Sequence, residues 1–337
     1  MEGASLRVLV AGATGTIGQA TVRALLRQGH QVVCILRPES TQSLADWAQR
    51  LDGAQLRQAD VSSLQSLQHD AVCGEQFDAV VSCMASRSGV PADAWAIDHK
   101  AQCNVLQAAQ GCGVKQFVLL SAICVQKPLL TFQHAKLAFE RELMASALQW
   151  SIVRPTAFFK SLSGQIQRVR QGKPFLVFGD GTLTACKPIS DDDLGDYLAG
   201  CLRDPARQNR VLPIGGPGPA ITPLQQGQLL FDAVGKPALY KQVPVALLDV
   251  IVAVLSVLGR VVPALAAKAE LARIGRYYAT ESMLVWDAAA GRYDADATPS
   301  AGTQTLAQHY AAVLRGDAQV TLGDHAVFGK DGGRYRD

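Results

Sequence analysis

At 337 residues, with 48% hydrophobic and 18% charged content, the chain can bury a large core as one big domain or as a domain plus a smaller lobe. A net charge of only +3 excludes the basic excess of a nucleic-acid-binding protein. The eight cysteines, at 34, 73, 83, 103, 112, 124, 186 and 201, form no C-x-x-C, so we expect buried thiols in a reducing compartment, with neither a disulfide framework nor a metal site.

Leu6 to Val10 is a short apolar run that predicts a buried parallel strand. Reaching it so early leaves no room for a signal or transit peptide, and a cytoplasmic protein is expected. Gly12, Gly15 and Gly18 follow in G-x-x-G-x-x-G spacing, and a helical pattern runs from Thr16 to Gln28. Glycine suits a sharp turn, a close approach to phosphate and tight packing of helix on strand. The free N–H groups and positive dipole end of the new helix suit a pyrophosphate. Gly12, Thr14, Gly15, Thr16, Ile17 and Gly18 are therefore the candidate dinucleotide contacts, against the plainer reading of a ligand-free strand-to-helix turn.

Gln31 to Leu36 predicts a second strand ending at Arg37-Pro38. An acid about 20 positions past the glycines would bind a ribose 2′-OH, whereas an arginine suits a 2′-phosphate. No acid precedes Arg37 and Glu39 lies beyond the proline, so the cofactor expected is NADPH; a solvated strand-end arginine is the alternative. A helix (Ser43 to Leu51) and a strand (Ala54 to Gln58) lead to Asp60, either an acceptor for the adenine amino group or an N-cap for a helix from Val61 to Gln68. Asp78 to Met84 is the fourth strand, and the loop Ala85 to Gly89 lies where the nicotinamide end of a cofactor would pass. A helix over Ala92 to Gly111 and a strand over Gln116 to Ser121 complete the alternation expected of a doubly wound parallel sheet. Ser121 ends that strand, where open α/β sheets place ligands. A helix from Phe132 to Leu148 and a sixth strand, Trp150 to Arg154, follow.

The glycine triplet, the acid after the third strand, the serine ending the fifth and a lysine on the next helix resemble the short-chain dehydrogenase/reductase superfamily, with its Rossmann-type sheet. That superfamily implies Tyr-x-x-x-Lys, in which tyrosine donates a proton to a carbonyl oxygen. This chain has Phe132 in the tyrosine position and keeps Lys136, whose role by analogy is to hold the nicotinamide ribose. A surface lysine on an amphipathic helix is the alternative. Longer stretches resemble the divinyl chlorophyllide 8-vinyl reductase family: Val118 to Leu130, Ser151 to Leu162, Phe178-Gly179-Asp180-Gly181, Cys186 to Ser190, Leu212 to Pro217 and Ile274 to Ala279. The match covers nearly the whole chain and ends near Phe328. It implies NADPH-dependent reduction of the 8-vinyl group of a chlorophyll precursor to ethyl. Plant members begin with a transit peptide, so a bacterial enzyme is expected.

From Thr156 the clean strand–helix rhythm breaks, so a cofactor domain is expected over residues 1–155, completed by a strand near 211–214, with an interleaved substrate lobe over 156–315, mainly helical, and a tail over 316–337. Phe158, Phe159, Phe175 and Phe178 concentrate rings where a flat macrocycle needs an apolar slot, and two of the four are expected to line it. Phe132 is a further candidate substrate contact. The substrate propionate needs a cation, and Arg154, Lys160 and Lys187 are the candidates. Magnesium belongs to the pigment. Ser190 to Leu202 predicts a helix opened by Asp191, Asp192 and Asp193, read as structural acids. Helices are also expected from Thr222-Pro223 to Val234, over Val245 to Leu258, over Ala264 to Ile274 and over Thr303 to Leu314. The apolar segment 243–258, interrupted by Asp249, falls short of the about 20 residues of a spanning helix and reads as buried or as peripheral contact with a photosynthetic membrane. No feature sets an oligomeric state.

A missing tyrosine fits that chemistry. Hydride added to a carbonyl leaves an alkoxide that needs a close acid, whereas hydride added to a conjugated vinyl leaves charge that spreads into the macrocycle. The proton then comes from water or a weaker acid, with Ser121, Lys160, Lys187 and His134 as candidates. A non-catalytic NADP-binding sensor or scaffold, or a reductase of another conjugated alkene, is the competing class.

Overall fold

The computed structural model describes residues 4–38 and 42–318; Glu39, Phe328 and the expected tail beyond residue 318 lie outside them. Eleven strands are described: β1 (Arg7–Ala11), β2 (Gln31–Leu36), β3 (Gln55–Gln58), β4 (Ala79–Ser82), β5 (Gln116–Leu120), β6 (Gln149–Pro155), β7 (Phe175–Phe178), β8 (Arg210–Ile214), β9 (Tyr240–Val243), β10 (Val285–Asp287) and β11 (Arg292–Asp294). Seven of them form one parallel sheet in the order β3-β2-β1-β4-β5-β6-β8. The order reverses between β1 and β4, which opens a crevice at their carboxyl ends.

Side chains alternate faces along a strand, and in β1 both faces are covered. Val8 and Val10 enter one hydrophobic cluster with Val22, Leu25, Leu194 and Leu198, while Leu9 enters the other with Leu67, Val105, Phe117 and Phe139. The first cluster is roofed by the helices Thr16–Arg27 and Asp191–Gly200, which pack so closely that a β-carbon at Gly195 would lie 2.6 Å from the backbone of Ala20.

A third core gathers Phe159, Phe175, Val177, Leu230, Phe231 and Tyr310 around the parallel pair β7–β9. The sequence reading assigned no strand to either segment, because four residues are too few to show a period. The helix Pro223–Val234 starts as expected on a Thr222 capping box, and Leu306–Arg315 starts three residues later than expected, on Thr305. Val245–Leu258 has the expected bounds. Its partner, expected to stop at Ile274, runs over Pro263–Thr280 and carries Tyr277 and Tyr278 onto the main domain. Among the described residues no helix is long and apolar enough to cross a membrane.

Candidate active site

The three glycines answer three different demands. Gly12 has φ +78°, and a β-carbon there would lie 2.6 Å from the carbonyl carbon of Cys83 and 2.7 Å from Met84 N, where β4 ends. At Gly18 a β-carbon would lie 2.1 Å from Gly12 O. At Gly15 nothing in the protein comes nearer than 3.6 Å, so internal packing alone does not require glycine there. An approaching phosphate would. Gly15 N closes the turn on Gly12 O at 3.2 Å, and the helix Thr16–Arg27 then begins with no side-chain cap and no acid in its first turn. Its first N–H groups are left for an anion, so a dinucleotide fits this crevice. Thr14 and Thr16 are half-buried beside it, while the Ile17 side chain sits in the core and offers the site only its backbone. Burial pushes the thiols of Cys34 and Cys83 up to about 12, which makes them small inert apolar groups.

Arg37 is exposed just past β2, and Asp60 just past β3. The Asp60 carboxylate accepts from Ser62 N at 2.8 Å and from Ser62 Oγ. The cap of the following helix is Ser63, not Asp60. Asp60 therefore shapes the turn, with its carboxylate still on the open side of the sheet.

The helix Thr131–Ala145 presents Phe132, Lys136 and Glu140 at i, i+4 and i+8, a single stripe. Gln133 pins the loop leading into it: Oε1 accepts from Leu129 N (2.7 Å) and Leu130 N (2.8 Å), and Nε2 donates to Cys124 O (3.1 Å). Phe132 is buried in a small cluster with Ile123, Cys124, Tyr277 and Met283. Lys136 Nζ lies 2.9 Å from Asp98 Oδ1, and both side chains are nearly enclosed. Asp98 also accepts from Ser86 N at 3.2 Å and Ser86 Oγ at 2.6 Å. Ser86 belongs to the loop after β4, so one carboxylate ties that loop to the lysine. Asp98 stands in the segment Ala94–Ala101, where the helix widens to π-type turns, a feature frequent at functional sites.

Ser121 Oγ donates to Glu140 Oε1 at 2.5 Å, and Arg154 Nε reaches the same oxygen at 3.2 Å while its terminal nitrogen pairs with Oε2. This corrects the expected role of Arg154. Its guanidinium is committed to a carboxylate with no solvent exposure and is not available to a propionate. Lys187 Nζ is likewise engaged, donating to Thr298 O at 2.8 Å. Lys160 is half-buried, and its ammonium makes no hydrogen bond or ion pair with the described residues. His134 is exposed, on the outward side of its helix.

Of the four phenylalanines, Phe159 and Phe175 are core residues, Phe159 with its ring centroid 5.2 Å from that of His309. Phe159 is thereby corrected from a substrate contact to a packing residue. Phe158 and Phe178 are half-buried. Asp191, read as structural, touches the cofactor crevice: burial pushes its carboxyl up, the Thr16 hydroxyl and the Lys160 cation pull it back, and Oδ1 is enclosed without a partner.

The loop holding Ser86 is expected at the nicotinamide end, whereas Asp98, Glu140 and Tyr278 are not singled out by the sequence. Glu140 was open to discovery, since it continues the Phe132–Lys136 spacing by one more turn. Asp98 shows only as an acid in an apolar helical stretch, and nothing local pairs it with Lys136. Tyr278 approaches Cys124, its hydroxyl 4.0 Å from Sγ, only because its helix runs past Ile274.

A family model for NAD(P)H-binding proteins matches residues 12–205. The chloroplastic divinyl chlorophyllide a 8-vinyl-reductase of Oryza sativa subsp. indica is 47% identical over 335 residues, covering 95% of this chain and 82% of the relative. That of Arabidopsis thaliana is 46% identical over 331 residues, covering 95% and 79%. Among solved structures, the NADPH complex of an NADPH-dependent quinone oxidoreductase from Escherichia coli superposes with a TM-score of 0.66 at 19% identity, covering 91% of this chain and 99% of that one. The last is a likeness of fold.

Proposed function

Because the chain belongs to the divinyl chlorophyllide a 8-vinyl-reductase family, we propose that it reduces the 8-vinyl group of divinyl chlorophyllide or protochlorophyllide to ethyl with NADPH, as a step in chlorophyll or bacteriochlorophyll synthesis. The observation that carries the reading is the pairing of an anion-ready glycine turn with a stripe that keeps Lys136 but offers Phe132 in place of a phenol.

NADPH held at that turn supplies the hydride. Gly12, Gly15 and Gly18 would take its pyrophosphate, and Arg37 its 2′-phosphate. Lys136, paired with an Asp98 that Ser86 also bonds, would hold the nicotinamide ribose. Phe132 gives the reacting face an apolar edge with no proton to donate, and Phe158 and Phe178 supply half-open walls for a macrocycle. Lys160 is the cation best placed to meet a propionate. The proton comes from water or a weak acid. Tyr278, whose hydroxyl lies 4.0 Å from Cys124 Sγ, is one such acid. Peripheral contact through residues 243–258 belongs to the same proposal, supported by the exposed apolar side of that helix.

The test is incubation with NADPH and divinyl chlorophyllide, following the Soret band. A blue shift is expected. Unchanged absorption beside tight NADPH binding would instead support the sensor or scaffold reading.

A further inference from the structure

The helical hairpin of Val245–Leu258 and Pro263–Thr280 sets two unlike surfaces back to back. One end of its second helix walls the candidate site. Ile274 lies so near Gly89 that a β-carbon there would come within 2.9 Å of it, and Tyr277 donates to the carbonyls of Cys124 (3.0 Å) and Lys127 (3.2 Å). The first helix is different. None of its 14 residues is buried. Leu248, Val252, Leu255 and Ser256 form the half-buried row, and Ser256 meets Arg273 of the second helix at 2.7 Å. Leu247, Val250, Ile251, Val254, Val257 and Leu258, at the complementary helical spacing, are exposed, and Val261 at the elbow is 84% exposed. Soluble surfaces seldom carry so continuous an apolar stripe without a use for it.

Charge says what covers it. Residues 241–276 hold five basic and two acidic side chains, an excess equal to the whole chain's +3, so the remainder of the chain is balanced. Both acids are already paired, Asp249 with Arg276 and Glu270 with Arg273. The side chains of Lys241, Arg260 and Lys268, all exposed residues, make no ion pair or hydrogen bond with the described residues. We propose that this hairpin docks the protein on an anionic lipid bilayer, its apolar stripe entering the headgroup boundary and these three cations meeting lipid phosphates. No described helix is long and apolar enough to span, so the hairpin lies on the layer. A second copy of the chain fits less well, because a two-fold contact through this face would set the same cations against one another. The inference rests on the reductase reading only for its purpose: the element that touches the bilayer also walls the site for an amphiphilic tetrapyrrole.

Flotation of the full chain with phosphatidylglycerol vesicles tests it, with phosphatidylcholine vesicles for comparison. Binding to the anionic vesicles is expected, weakened by salt and lost in the double variant Val250→Glu/Val257→Glu. Lys241→Gln, Arg260→Gln and Lys268→Gln should each weaken it roughly fivefold. NADPH affinity, followed by cofactor fluorescence, should stay unchanged in all of them and so verify folding. No binding at low salt, binding indifferent to the double variant, or a dimer in sedimentation that the double variant splits would each overturn the proposal. Reduction of detergent-dispersed divinyl chlorophyllide is scored separately, and its failure would overturn the reductase reading alone.

Discussion

Val8-Leu9-Val10-Ala11 and Val250-Ile251-Val252-Ala253-Val254 are near-identical apolar runs with opposite surroundings. In β1 every one of the four is at most 1% exposed, whereas Val250 is 58% and Val254 51% exposed. The first run lies between two helical layers, each supplying a facing cluster. The second packs on the helix Pro263–Thr280 and leaves Val250 and Val254 exposed on its other side. Hydrophobicity thus states a demand for burial, and the elements around a segment decide whether the chain itself meets it.

Ion pairs give the sharpest contrast. Glu140→Ala would strand the largely enclosed Arg154 and should cost about 3–5 kcal/mol in chemical unfolding. Asp249→Ala removes the solvent-exposed pair with Arg276 and should cost at most about 1 kcal/mol. Equal losses would mean the hairpin is as buried as the sheet. Apolar truncation comes next. Ile152→Ala, in a fully buried position of β6, should lower stability by about 3 kcal/mol, and Ile251→Ala by no more than about 0.5 kcal/mol.

Gly18→Ala places a β-carbon against Gly12 O and should cost about 1–3 kcal/mol, with NADPH affinity falling in parallel when titrated by fluorescence. A smaller effect is expected from His309, whose imidazole is held below its ordinary value of 6.5 by burial against Phe159. The unfolded chain then binds more protons than the folded one, so this contribution is intact above about pH 6.5 and shrinks as pH falls below it. A thermal-stability profile from pH 7.5 to 5 should flatten in His309→Gln. Phe132→Tyr should bring no gain in reduction rate; a large gain would show that a phenolic donor was missing.

Much of this is legible in the sequence. The strand–glycine–helix unit, the alternation of strands and helices and the bounds of Val245–Leu258 all depend on residues close in sequence, where spacing alone carries the information. Reading Arg154 as a free cation failed for a specific reason. A strand-end arginine looks the same whether it faces solvent or a buried acid on the neighbouring helix. Phe158 and Phe159 teach the same lesson at adjacent positions: one is half-buried, the other sealed in the core under His309.

By itself, then, the sequence determined the cofactor turn, because a positive-φ glycine and a helix start are local events, and the family, because matching stretches span the chain. Tertiary structure alone decided the partners of the charged groups. Asp98 meets Lys136 across 38 positions, and that meeting exists only once β4 and β5 lie side by side and bring the helices that follow them together. It also decided which apolar surface stayed open, since exposure belongs to what lies opposite a residue and not to the residue itself.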